Sequence, residues 1–196
     1  MDTVFDILTG AGLGAAAGIR PFLPAMVAGA AASADLFIDF EGTDLSFLEQ
    51  AGFLLAVVLV LIAFVMAQRR LGSEGLDRGP LGASLAGLAL GVGALLFAGA
   101  LADHSDTWWP GLIGGVLCAL LAQVTVRDLL RRTRSRLDPD AREALTVYAD
   151  GASLVLAALA IVAPPVSAIA LAALAWLLFS GRRREGEKYA GLRILR

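Results

Sequence analysis

Few residues in this chain are equipped for chemistry, and the most telling is an arginine among apolar neighbours. Arg20 lies in the segment Gly18-Ile19-Arg20-Pro21-Phe22-Leu23-Pro24, while the other fifteen of the sixteen Lys and Arg residues fall in three basic segments further along. A guanidinium at mid-membrane costs about 2.5–3.5 kcal/mol on insertion scales, so it is normally paired, hydrated or used. Asp150 is a second intramembrane charge, several residues deeper in its apolar stretch than Arg142 and Glu143. Gln123 and Arg127, four apart near the basic end of another apolar stretch, complete a candidate substrate- or ion-binding set. The chemistry such a set offers is electrostatic capture of an anion, with Asp150 as its ion partner or a proton site.

Each member also has a plainer reading. Arg20 is alternatively a structural charge that satisfies carbonyls freed by Pro21 and Pro24, or anchors a helix through Asp150, or snorkels to an interface. Asp150 is alternatively half of a helix-to-helix salt bridge, and Arg127 a solvated charge. Asp6 is expected to approach the same site from the basic side. His104, between Asp103 and Ser105, reads as a solvated loop histidine, and Cys118 as a small packing residue. There is no Ser-His-Asp set, HExxH helix, paired carboxylates or phosphate-binding glycine loop, so no enzyme, metal, cofactor or nucleic-acid role is expected.

These residues must be positioned by membrane-spanning helices. The 196 residues are 58% hydrophobic with mean hydropathy +0.75, well outside the composition of soluble domains. The acidic N-terminus, with Asp2 and Asp6 and no basic residue, argues against a cleaved signal peptide. A crossing needs about 20 apolar residues, and charge-free runs of suitable length occur at 50–68, 79–102 and 107–126. The run 151–181 is too long for one crossing and is divided by Pro164-Pro165 into a hairpin. The first region, 4–34, is interrupted at Arg20-Pro21 and reads either as one broken helix or as two half-helices dipping in and out.

Counting it as one crossing predicts an all-α integral membrane domain (1–181) with six spans near 4–34, 50–68, 80–101, 109–130, 142–163 and 166–181. A basic tail (182–196) follows. The segments 69–80, 127–142 and 182–196 then share one side, which the positive-inside rule makes cytoplasmic, with both termini there. The opposite side carries Asp35, Asp39, Glu41, Asp44, Glu49, Asp103 and Asp106. The expected location is a bacterial inner membrane, with the bilayer itself as a partner. The acidic loop 35–49, with Leu36, Phe37, Ile38, Phe40, Phe47 and Leu48, is expected to lie partly on the bilayer surface.

Three spans on each side of residue 105 suggest a 3+3 inverted repeat, 1–101 against 109–181. Small residues recur at fourfold spacing: Gly10, Gly14 and Gly18; Gly87 and Gly91; Gly111 and Gly115. Such spacing lets helix backbones approach closely; packing within the bundle is the first reading and a homodimer face its competitor.

The run from Gly14 to Pro24 resembles the opening signature of an uncharacterised bacterial integral-membrane family, a domain-of-unknown-function family. The resemblance extends through Val126-Arg127 and Tyr148-Ala149-Asp150. Family members carry an acidic residue and a Lys-Ile-Pro element after the second span, whereas Gln68-Arg69-Arg70-Leu71-Gly72 stands here. The resemblance implies a membrane fold and marks Arg20, Arg127 and Asp150, without implying an activity.

The function expected is therefore a small transporter, channel or lipid-translocating protein for an anionic solute or lipid phosphate, with a broken helix at Gly18, Pro21 and Pro24. The alternative is a non-catalytic assembly or scaffold subunit of a membrane complex; a lipid-modifying enzyme ranks last.

Overall fold

The computed structural model describes residues 2–77, 80–103, 105, 107–134 and 139–190. Among them are seven α-helices: α1 (Asp2–Ile19), α2 (Phe22–Ala32), α3 (Ala51–Asp77), α4 (Pro80–Ala102), α5 (Trp109–Arg134), α6 (Pro139–Val162) and α7 (Pro165–Ala190). Three helices contain stretches long and apolar enough to cross a membrane, Gly82–Ala102, Trp109–Thr133 and Ala144–Val162. Shorter apolar helical stretches are Thr3–Ile19, Phe22–Ala32, Ala51–Ala67 and Pro165–Gly181.

The N-terminal helix is the centre of the bundle. Residues 11–18 of α1 are all buried, and α1 packs against α4, α5, α6 and α7. Its composition explains this position. A Cβ on Gly10 would come 2.8 Å from the Phe97 ring, and Gly14 faces Gly115 and Cys118. Gly18 lies against the Ala119 backbone, where any side chain would collide. On α5, Gly111 meets Ala98 and Gly115 meets Gly93 and Ala94 of α4. Close backbone approach of this kind is how helices gain dispersion contacts where no water is expelled.

The break after α1 follows from the proline. Pro21 has no N–H and its ring clashes with the preceding turn, and the residue before a proline is steered out of the α region. Arg20 still donates its N–H to the Ala16 carbonyl (3.0 Å), the last bond of α1. Helix α2 begins at Phe22, and the prolines at 21 and 24 reduce the number of N–H groups its first turn must satisfy.

Chain direction after the break differs from the single broken crossing expected over 4–34. Gly10 lies beside Phe97 and Gly14 beside Gly93, so α1 and α4 are antiparallel. The Phe22 and Phe64 rings sit 5.7 Å apart while Gly29 meets Leu54, so α2 and α3 are antiparallel as well. Helices α3 and α4 form a hairpin packed through Val57, Leu61, Phe64, Leu85 and Val92. Thus α2 runs back along the bundle, and α1–α2 is a helical hairpin with Arg20 at its tip. The physical reason is packing: α2 sets Phe22 on Phe64 and Gly29 on Leu54 and the Leu48 carbonyl, contacts available only when it doubles back.

The start of α1 therefore lies at the same end as the 33–50 loop, the α4–α5 connection and the α6–α7 turn. The C-terminal ends of α3, α5 and α7 lie at the other. The start of α1 and the end of α7 thus lie at opposite ends of the bundle, whereas the sequence reading placed both termini on one side of six crossings. Residues 1–101 hold α1–α4, with the broken first segment contributing two of them, and 109–181 hold α5–α7.

The 33–50 loop is only partly a surface segment. Ile38, Phe40, Leu45 and Leu48 are buried in the main core with Leu13, Ala28, Leu96 and Ala157. Leu36, Phe37 and Phe47 are exposed, and Phe37 adopts a positive φ of 64°. Its acidic residues organise the loop: Asp44 accepts a hydrogen bond from the Trp108 indole (3.1 Å) and Glu49 one from the Phe40 N–H (3.3 Å).

Candidate functional site

The hairpin tip faces α6. Arg20 Nε lies 2.6 Å from Asp150 Oδ1, with the two side chains 23% and 44% exposed. The Nε–H makes no hydrogen bond, so this contact is a charge pair held by proximity. Both ends of the pair reach the molecular surface. Asp150 lies roughly 9 Å, at 1.5 Å per residue, from the Ala144 end of the apolar stretch Ala144–Val162. The pair is thus nearer the basic end of the bundle than the acidic one.

The elements that hold it are specific. Helix α6 presents a small-residue face to α1, with Ser153, Ala157 and Ala160 fully buried. The Ser153 hydroxyl donates to the Ala16 carbonyl (2.9 Å) and also approaches the Arg20 carbonyl (3.4 Å). Ser153 thereby ties the last turn of α1 to the helix that carries Asp150, one turn away. A second fully buried serine, Ser167 of α7, touches Gly12 and makes no hydrogen bond among the described residues. Neither serine stood out in the sequence; the Asp150-x-x-Ser153 spacing, which puts both on one helix face, was the available signal.

Other candidates fall elsewhere. The Gln123 amide donates to the Ala86 carbonyl of α4 (3.4 Å), so its placed contact is a helix-to-helix one and not Arg20. Arg127 is exposed on α5. Asp6 sits at the opposite end of α1, about 21 Å up the helix from Arg20 at 1.5 Å per residue, and does not share the site. Gly10, Gly14, Gly18, Gly111 and Gly115 all serve close helix contacts, whereas Gly87 and Gly91 face open space. The packing role expected for those last two finds no contact among the described residues. Cys118 is half-buried beside Gly14. His104 lies outside the described residues, as do Arg78, Arg136, Arg193 and Arg196.

Helix α1 packs on both α5 and α6 and ends at Ile19, so the Arg20–Asp150 pair stands where α1 stops.

An α-helical bundle with three apolar helices long enough to span a membrane is the architecture of a membrane protein. The chain belongs to the family described as a domain of unknown function, DUF4126, whose model matches residues 7–184. No curated protein and no solved structure matches the chain.

Proposed function

We propose that this protein is a small membrane transporter, channel or lipid-translocating protein, and that Arg20 receives the anionic group of a solute or a lipid phosphate. The observation that carries the reading is the half-exposed Arg20–Asp150 pair at the tip of a re-entrant hairpin. Irregular backbone at membrane depth is tolerated where it is buried in protein or lines a cavity, and intramembrane charges mark pathways. The half-helix α2 also points its N-terminal, partially positive end at this region, which favours negative charge. In this reading α3–α7 are five crossings, the basic connections and C-terminus are cytoplasmic by the positive-inside rule, and the membrane is a bacterial inner membrane.

The test is reconstitution in liposomes, measuring anion flux and lipid scrambling for the unmodified protein and for Arg20→Ala and Arg20→Lys. The reading expects flux or scrambling that Arg20→Ala abolishes and Arg20→Lys partly retains. Identical movement in a folded Arg20→Ala variant would remove it.

A scaffold reading is favoured by one observation: Gly87 and Gly91, with Ala83, form an exposed small-residue face on α4. Isolation of the protein from native membranes as part of a larger complex, lost on Gly87→Leu, is its expected result.

A further inference from the structure

We infer that the ligand of this site is a zwitterion carrying a phosphate and an ammonium group, of which a phosphoethanolamine lipid headgroup is the membrane-borne form. The inference rests on the transport reading above and narrows its substrate class.

The first observation is the charge balance. Arg20 and Asp150 form a net-neutral pair with Nε and Oδ1 2.6 Å apart. A simple anion that binds Arg20 must displace Asp150 and leave a lone carboxylate in a low-dielectric layer. Removing one partner of such a pair is strongly unfavourable because the other charge stays uncompensated. A zwitterion replaces both halves together: its phosphate oxygens accept from the guanidinium, and its ammonium donates to the carboxylate. Guanidinium–phosphate and ammonium–carboxylate contacts are both charge-assisted, so the exchanged state loses no strong pairing.

The second observation is the direction of access. Asp150 flanks the buried stripe of α6, and its neighbours toward the outside are open. Val147, one turn before, is 67% exposed, and Leu154, one turn after, is 43% exposed. Gly151 offers no side chain, and a Cβ there would meet nothing within 4 Å. On α2, Leu23 and Met26 are half-buried and Ala30 is exposed. The carboxylate is thus reached along an apolar helix surface that a bilayer covers. A headgroup whose acyl chains remain in the bilayer fits that approach, with no need for the chains to enter the protein.

The test uses liposomes containing acyl-labelled phosphatidylethanolamine or acyl-labelled phosphatidylglycerol, with dithionite reduction as the readout. A parallel arm measures uptake of radiolabelled phosphoethanolamine. In the unmodified protein, movement of phosphatidylethanolamine is expected to exceed that of phosphatidylglycerol at least tenfold. Asp150→Asn makes the site net positive and is expected to invert that preference, whereas Asp150→Glu restores it. Uptake of phosphoethanolamine without lipid movement, with the same response to Asp150→Asn, supports the zwitterion and assigns it a soluble source.

Arg20-dependent movement that does not distinguish the two lipids, before or after Asp150→Asn, overturns the inference and leaves the transport reading standing. Absence of any Arg20-dependent movement overturns both. Should Asp150→Asn fail to fold, competition in the unmodified protein decides. Phosphoethanolamine is expected to inhibit at least tenfold more strongly than glycerol phosphate, and equal inhibition counts against the inference.

Discussion

The hydroxyl of Ser153 on α6 reaches across to the carbonyl of Ala16, four residues before the break in the N-terminal hairpin, at 2.9 Å. That carbonyl also accepts the N–H of Arg20, so one oxygen joins the end of α1 to both the hairpin tip and the neighbouring helix. Ser153 is fully buried, so the bond is shielded from bulk solvent. Ser153→Ala is therefore expected to destabilise the protein by about 1 kcal/mol, a typical net hydrogen-bond contribution, with the fold retained. Thermal denaturation in detergent reads this as a small fall in Tm. An unchanged Tm would show that Ser153 does not hold the tip in place.

The Arg20–Asp150 pair predicts a specific pattern of non-additivity. Arg20→Ala and Asp150→Ala each leave one uncompensated charge in the apolar layer, while the double variant leaves none. Groups in direct contact couple by about 0.5–3 kcal/mol. The exposure of 23% and 44% places this pair toward the lower part of that range, since holding two incompletely buried side chains in one geometry costs entropy. The double variant is expected to be less destabilised than the sum of the singles by about 1 kcal/mol. Equal and additive losses would mean that the two charges do not interact in the membrane.

Much of this arrangement was legible beforehand, for a reason rooted in solvation. Arg20 and Asp150 are charges stranded in apolar sequence, and each needs a partner, so their pairing follows from the cost of leaving either alone. The helices near 80–101 and 109–130 were equally readable, because long charge-free runs permit little else. The doubling-back of α2 was not readable. A stretch of that length with a proline in its middle suits a kinked crossing or a hairpin, and the choice is made by distant contacts, Phe22 on Phe64 and Gly29 on Leu54. Periodicity likewise could not separate the packed Gly111 and Gly115 from the open Gly87 and Gly91, since spacing defines a helix face without saying what it meets. Ser153 and Ser167 were missed because single hydroxyls are common in apolar helices.

The two classes of glycine respond differently to added bulk. At Gly18 a side chain would run into the Ala119 backbone, and at Gly115 into Gly93 and Ala94, neither of which can rotate away. Overpacking of a rigid contact costs typically 1–3 kcal/mol, and more where backbone must move. Gly18→Leu and Gly115→Leu are expected to abolish folding or lower Tm sharply. Gly87→Leu and Gly91→Leu, facing open space, are expected to leave the stability of the isolated protein within about 0.5 kcal/mol of its starting value. Size-exclusion profiles and melting curves in detergent distinguish the two groups, and a severe loss from Gly87→Leu would indicate a partner helix covering that face.

The re-entrant hairpin makes a prediction about sidedness that a single broken crossing contradicts. Val4 near the start of α1, Ala34 just after α2 and Arg131 near the end of α5 are all exposed positions. If α2 turns back, the first two lie at one end of the bundle and the third at the other; a single crossing would place Val4 with Arg131 and Ala34 opposite. Cys118 is the only native cysteine, so Cys118→Ala provides a clean background for single substitutions. A membrane-impermeant maleimide applied to intact cells is expected to modify Val4→Cys and Ala34→Cys at once, and Arg131→Cys only after the membrane is opened, as the positive-inside rule requires for the basic end. Co-labelling of Val4→Cys with Arg131→Cys instead would return α1–α2 to a full crossing. Arg20 would then stand at a kink within that crossing, with no re-entrant tip to carry it.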